Sequence, residues 1–155
     1  MTKIMLLDGS IGQELVRRSG DRATPLWSTQ VMIDRPDLVR AVHDAYFAAG
    51  ATVATTNTYA TLRDRLVRVG LEDQVRRLAG IAVTAAQAAR DAHGAGRVAG
   101  AIGPLVQSYR PDLCPPANQA AAIYAEPVAA LAPRIDLLLL ETMCSVDQAR
   151  GAMMA

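Results

Sequence analysis

The feature that most constrains this chain is the run Ile135-Asp136-Leu137-Leu138-Leu139-Leu140-Glu141-Thr142-Met143. An apolar stretch this short, closed by a carboxylate and followed by a helical pattern from Cys144-Ser145, predicts a strand buried on both faces that ends in a polar residue. Three other segments share that plan. Ile4-Met5-Leu6-Leu7 breaks at Asp8-Gly9-Ser10, residues 51–54 lead into Thr55-Thr56-Asn57-Thr58-Tyr59, and Arg97-Val98-Ala99-Gly100-Ala101-Ile102 stops at Gly103-Pro104.

Helical patterns follow each of these strands. Residues 11–18 have the spacing of a short helix with Ser10 as its N-cap. Pro36 opens a helix whose apolar face is Val39, Val42, His43, Tyr46 and Phe47 and which Gly50 closes. Residues 71–93 form the longest pattern, with Val75, Leu78, Ala82, Ala85, Ala86 and Ala89 near a 3.6-residue period and Gly94 as a stop. Residues 118–131 are helical in pattern, although Pro127 predicts a kink or an early break. Residues 145–155 begin a last helix. Residues 19–35, with Gly20, Pro25 and the single Trp27, read as a long loop, and so do the proline-rich residues 105–117.

Four strand-then-helix units in series make an α/β chain. Parallel (β/α) units with helical crossovers give either the first half, about four strands, of a TIM-type (β/α)8 barrel or a small open sheet. At 155 residues the chain is the size of one domain. Its core must come from Ala, Val, Leu and Ile, because 51% of the residues are hydrophobic while only 4% are aromatic.

The net charge of +1 provides no field that would select nucleic acid or an anionic membrane, so a small-molecule ligand is expected. No apolar run has the length of a membrane span or a signal core, and a cytoplasmic location is expected. Cys114 and Cys144 lack C-x-x-C spacing and read as two reduced thiols.

Where strands feed helices around a barrel, the C-terminal strand ends floor the active site, which singles out Glu141 and the Asp8-Gly9 turn. Backbone N–H groups at the start of the helix after Gly9 and Ser10 suit a carboxylate or phosphate, although a plain capped turn explains them equally well. The Thr56 and Asn57 side chains either satisfy backbone at a strand end or face a ligand. His43 reads first as a core histidine with a hydrogen-bond partner, and Arg110 as a solvated loop cation or an anion contact.

The stretches Leu6-Leu7-Asp8-Gly9, Pro36-Asp37-Leu38-Val39, Ala49-Gly50-Ala51, Thr55-Thr56-Asn57-Thr58-Tyr59, Ala101-Ile102-Gly103-Pro104-Leu105, Tyr109-Arg110-Pro111-Asp112 and Asp136-Leu137-Leu138-Leu139-Leu140-Glu141-Thr142-Met143 occur in an order that resembles the N-terminal half of the homocysteine S-methyltransferase family. The resemblance implies a barrel that moves a methyl group from a donor to the thiol of L-homocysteine, giving methionine. It also implies that Asp8, Gly9 and Glu141 hold the amino-acid part of the substrate, with Thr56 and Asn57 as neighbours.

Such proteins activate the thiol on Zn2+ held by three cysteines that follow the sixth and eighth strands. Those ligand motifs are not in residues 1–155, and Cys114 and Cys144 do not match them. The expectation is therefore a truncated homocysteine-binding domain over residues 1–155, inactive alone, with edges open to self-association. The competing readings are a non-catalytic self-associating half-barrel that binds an amino acid or a partner protein, and an unrelated barrel that takes a phosphorylated substrate at the Gly9 turn.

Overall fold

A computed structural model describes residues 4–20 and 25–155. Its centre is a three-stranded parallel sheet of β1 (Val53–Thr55), β2 (Arg97–Ile102) and β3 (Leu137–Leu140), in that spatial order. Val53 pairs with Arg97, and Ala99 with Leu137, so the three strands end close to one level. Among the described residues seven α-helices surround it: α1 (Ile11–Arg18), α2 (Ser28–Asp34), α3 (Pro36–Ala48), α4 (Arg63–Leu66), α5 (Val75–His93), α6 (Ala117–Leu131) and α7 (Val146–Met154).

The expected first strand is not a strand among the described residues. Residues 4–8 run beside β1, joined by one parallel bridge from Leu7 to Val53 and by bonds from Thr52 N to Leu6 O (2.8 Å) and from Asp8 N to Val53 O (3.2 Å). Ile4 is 85% exposed and Leu6 52%, so burial does little to hold this segment in register. The expectation of a β3 buried on both faces is corrected for the same reason. As the other edge of the sheet, β3 leaves its residues half-buried and Leu138 37% exposed.

Two loop and helix expectations also change. Residues 28–34 of the expected 19–35 loop form α2, which buries Val31 and Met32 against α1 and α3; residues 21–24 lie outside the described residues. Pro127 does not end α6, which continues to Leu131. Tyr124 and Leu131, both fully buried, anchor the helix on either side of the proline, so the one lost backbone bond is tolerated.

The other helices match their sequence signals. Ser10 Oγ accepts from Gln13 N at the start of α1, and Ser145 Oγ accepts from Gln148 N at the start of α7. Apolar packing falls into two main groups. Leu15, Met32, Val39, Val42, Val75 and Leu78 join α1, α2, α3 and α5, while Leu62, Val83, Ile102, Leu105, Tyr124 and Leu131 join β2 to α5 and α6.

Where α7 crosses α6, an added Cβ on Gly151 would lie 2.5 Å from Ala120 Cβ and 2.9 Å from Ala117 O. In an exposed helix, Gly→Ala would stabilise by about 1 kcal/mol. Here overpacking dominates, so Gly151→Ala is expected to destabilise by about 1–3 kcal/mol, read as a lowered urea midpoint.

Candidate functional site

The C-terminal ends of the sheet open into a cavity of about 1050 Å³. Its wall takes Asp8 and Gly9 from the segment beside β1, Thr55, Thr56 and Asn57 from the end of β1, and Glu141 and Thr142 from the end of β3. Parallel strands in register bring residues far apart in sequence to one rim. Asp8, Gly9, Thr56, Asn57 and Glu141 therefore all line the same space.

Their environments differ sharply. Asp8 is almost wholly buried: Thr55 Oγ1 donates to its Oδ1 (2.6 Å) and Thr55 N to its Oδ2 (2.6 Å), while His43 Nδ1 lies 3.7 Å from Oδ2. Glu141 keeps its carboxylate for the cavity. Among the described residues only its backbone is committed, through N–H to Ile102 O (3.1 Å). Burial, and then the negative charge of Asp8, push the Glu141 carboxyl above the usual glutamate range.

The backbone around the cavity is strained. Among the described residues, four non-glycine residues have positive φ, and three of them, Trp27 (48°), Tyr109 (62°) and Thr142 (57°), line this space. A β-branched residue such as Thr142 is costly in that region, and it directly follows Glu141.

Glycines let aromatic rings close on the rim. A Cβ on Gly9 would sit 2.7 Å from the Tyr46 hydroxyl, and one on Gly12 2.3 Å from the Trp27 ring. The first turn of α1 thus reaches the cavity through Ser10, Ile11 and Gly12.

Thr56 and Asn57 line the cavity with side chains already engaged. Thr56 Oγ1 accepts from Ala101 N (3.1 Å) and bonds Thr58 Oγ1 (2.8 Å), and Asn57 exchanges bonds with Ser28 Oγ (2.8 Å) and Ser28 O (3.2 Å). His43 is buried as expected, but the expected hydrogen-bond partner is missing: neither ring nitrogen has one among the described residues. Arg110 stays on the surface, where Asp112 holds its guanidinium and raises its pKa.

Trp27, Tyr59, Arg65, Arg68 and Tyr109 complete the wall and were not candidates from sequence. Tyr59 and Tyr109 sit inside the quoted motifs, which was the available signal. The two arginines carried none, because Arg65 lies in a helix of only four residues and Arg68 in the single turn of 3-10 helix (Val67–Val69) after it.

The described residues do not fit a zinc site. No group of three or more His, Cys, Asp or Glu among them could hold a metal ion. Cys114 and Cys144 are free thiols, each donating to a nearby carbonyl, Pro115 O and Thr142 O.

Residues 5–155 match the family model described as homocysteine S-methyltransferase. The chain belongs to the homocysteine S-methyltransferase family. It is 38% identical over 109 residues to homocysteine S-methyltransferase of Escherichia coli K12, covering 65% of this chain and 35% of that protein. Homocysteine S-methyltransferase YbgG of Bacillus subtilis 168 is 37% identical over 89 residues, 57% of this chain and 28% of its own.

The metallated form of the homocysteine methyltransferase MmuM from Escherichia coli superimposes with a TM-score of 0.83 at 34% identity, over 94% of this chain and 56% of that one. The family member described here thus spans about half of that solved chain. No helix among the described residues is long and apolar enough to cross a membrane.

The raised Glu141 pKa has a stability consequence with a defined sign. The folded state holds this proton more tightly than the unfolded chain, so stability is lost as pH rises from the ordinary glutamate value through the raised one. Glu141→Gln is expected to raise the urea midpoint at pH 7 and to leave it nearly unchanged at pH 4.

Proposed function

We propose that this chain is the homocysteine-binding half of a methyltransferase that passes a methyl group to the thiol of L-homocysteine to give methionine. The observation that carries the reading is the pairing, in one cavity, of an uncommitted, half-buried Glu141 with the first turn of α1. An amino acid presents an ammonium and a carboxylate close together. Glu141 suits the ammonium, and the N–H groups at the start of α1 suit the carboxylate.

Asp8 serves mainly by charge, since Thr55 already occupies both its oxygens. Its field raises the cost of an ionised Glu141 without a ligand, and a bound ammonium removes that cost. Gly9 keeps the turn clear of the Tyr46 ring, while Thr56 and Asn57 hold the rim in shape.

In this family zinc makes the substrate thiol a nucleophile. The described residues do not fit that metal, so the chain by itself is proposed to bind homocysteine without turning it over. A cytoplasmic location accords with two free thiols.

Calorimetry with the 155-residue chain and L-homocysteine tests this reading. Wild type is expected to bind, with affinity falling as Glu141 is protonated at acid pH. Glu141→Gln is expected to bind roughly ten-fold or more weakly, the loss of a charge-assisted bond. Equal affinity of the two proteins would overturn the assignment.

A second reading has its own observation. Apolar side chains stand bare along both sheet edges, Ile4 and Leu6 on one and Leu138, Val146, Met153 and Met154 on or beside the other. In this reading the chain is a non-catalytic half-barrel that pairs with a second copy across those edges and binds an amino acid or a partner protein. Light scattering is then expected to give twice the chain mass at micromolar concentration, and a monomer would count against it.

A further inference from the structure

His43 is the one side chain among the described residues in which two buried polar atoms both lack a hydrogen-bond partner. It is 0% exposed, and an enclosed imidazole with an unbonded N–H costs stability that an apolar side chain of similar size would not. Its presence in the core therefore needs a physical reason.

The reason lies on one side of the ring. Nδ1 faces Oδ2 of Asp8 at 3.7 Å, and the Asp8 side chain is itself only 2% exposed. A carboxylate can only accept, so the proton of a neutral ring belongs on Nδ1. Thr55 already donates to both Asp8 oxygens, but Oδ2 has a lone pair left for a further donor. A shift of about 0.7 Å brings Nδ1 to ordinary hydrogen-bond distance, and in a water-free setting its N–H dipole favours the Asp8 charge even before that.

The charged groups of the elements packed around α3 are committed elsewhere or exposed. Glu14 of α1 is closed on Arg17 and Arg18, Asp34 of α2 takes Gln30, and Asp44 of α3 pairs with Arg40. Tyr46 turns its hydroxyl to Ser10 O. On α5, Arg90 pairs with Asp91, while Arg76, Arg77 and His93 are exposed. Among the described residues Asp8 is the one carboxylate within ion-pair distance of the ring.

We infer that His43 is a positioning residue for homocysteine binding that acts through Asp8, its Nδ1–H holding that carboxylate ionised and fixed at the cavity wall. The inference rests on the proposed homocysteine function and adds the group that stands behind its site. Asp8 lines the cavity with Glu141, so a proton on Asp8 removes one of the two negative charges that meet the substrate ammonium. Without the imidazole, Asp8 takes up that proton at higher pH, and homocysteine affinity begins to fall at higher pH with it. An imidazolium in the same place acts in the same direction and more strongly.

The test is calorimetry of the 155-residue chain with L-homocysteine across a pH series. His43→Leu is expected to raise the pH at which affinity is half lost on the acid side by about half a unit or more. His43→Gln, which keeps an N–H donor, should stay closer to wild type. In an Asp8→Asn background His43→Leu is expected to change the homocysteine Kd no further, because the residue acts only through that carboxylate. A side chain that merely filled space would weaken binding equally at every pH and in both backgrounds.

Nitrogen NMR of the wild-type ring, with His93→Gln to assign the other histidine, needs no folded His43 variant. A proton on Nδ1 is expected, with its signal moved by Asp8→Asn. A bare Nδ1, an unmoved pH midpoint in His43→Leu, a His43→Gln no closer to wild type than His43→Leu, or an equal loss in the Asp8→Asn background would each overturn the inference and leave homocysteine binding standing. Absence of homocysteine binding to wild type would overturn the proposed function, and this inference with it.

Discussion

The clasp of Asp8 on Thr55 is the interaction on which the site depends. The segment before α1 is joined to the sheet by one bridge and a few bonds around Thr52, and its apolar side chains lie bare, so packing alone would not fix where it ends. Two bonds of 2.6 Å from the Thr55 N–H and hydroxyl to the Asp8 carboxylate fix it. Hydrogen bonds to an ionised acceptor are worth about twice neutral ones, and burial keeps water from competing. With Asp8 pinned, Gly9 and the first turn of α1 are set against the cavity that Glu141 enters from the far edge of the sheet.

Behind this clasp lies a cost. His43 is wholly enclosed 3.7 Å from Asp8, and among the described residues neither ring nitrogen finds a hydrogen-bond partner. Glu141 is held where burial and Asp8 both disfavour its charge, and Thr142 takes a conformation that a β-branched residue avoids. Like charges on Asp8 and Glu141 and positive φ at Trp27, Tyr109 and Thr142 concentrate around one cavity. That distribution is the mark of a site kept for binding rather than for stability.

The opposite wall is built differently. The loop after β2 is gripped from below by the helix after β1: Asp64 accepts from Val106 N, Arg68 donates to Val106 O, and Arg65 donates to Pro104 O and Ser108. Tyr59 bonds Ser108 across the same gap (2.6 Å) and meets Trp27 edge-on. The cavity therefore joins a rigid acidic side, set by the sheet, to a cationic and aromatic side, set by loops that polar side chains hold.

The local elements were legible in the sequence because each has a local cause. Periodic apolar residues gave α3 and α5, serines gave the caps of α1 and α7, and glycines gave the helix stops. The polar strand ends marked Asp8, Thr56, Asn57 and Glu141 for the same reason, since a residue type at a strand end is a local fact. Tertiary structure decided the rest. Whether residues 4–7 and β3 are buried depends on what lies beside each edge, and whether α2 forms depends on a neighbouring surface for Val31 and Met32. Which cations reach the cavity depends on how a four-residue helix docks under a loop some forty residues further on. Periodicity records which face of a segment is apolar, but only the packed fold determines what that face meets.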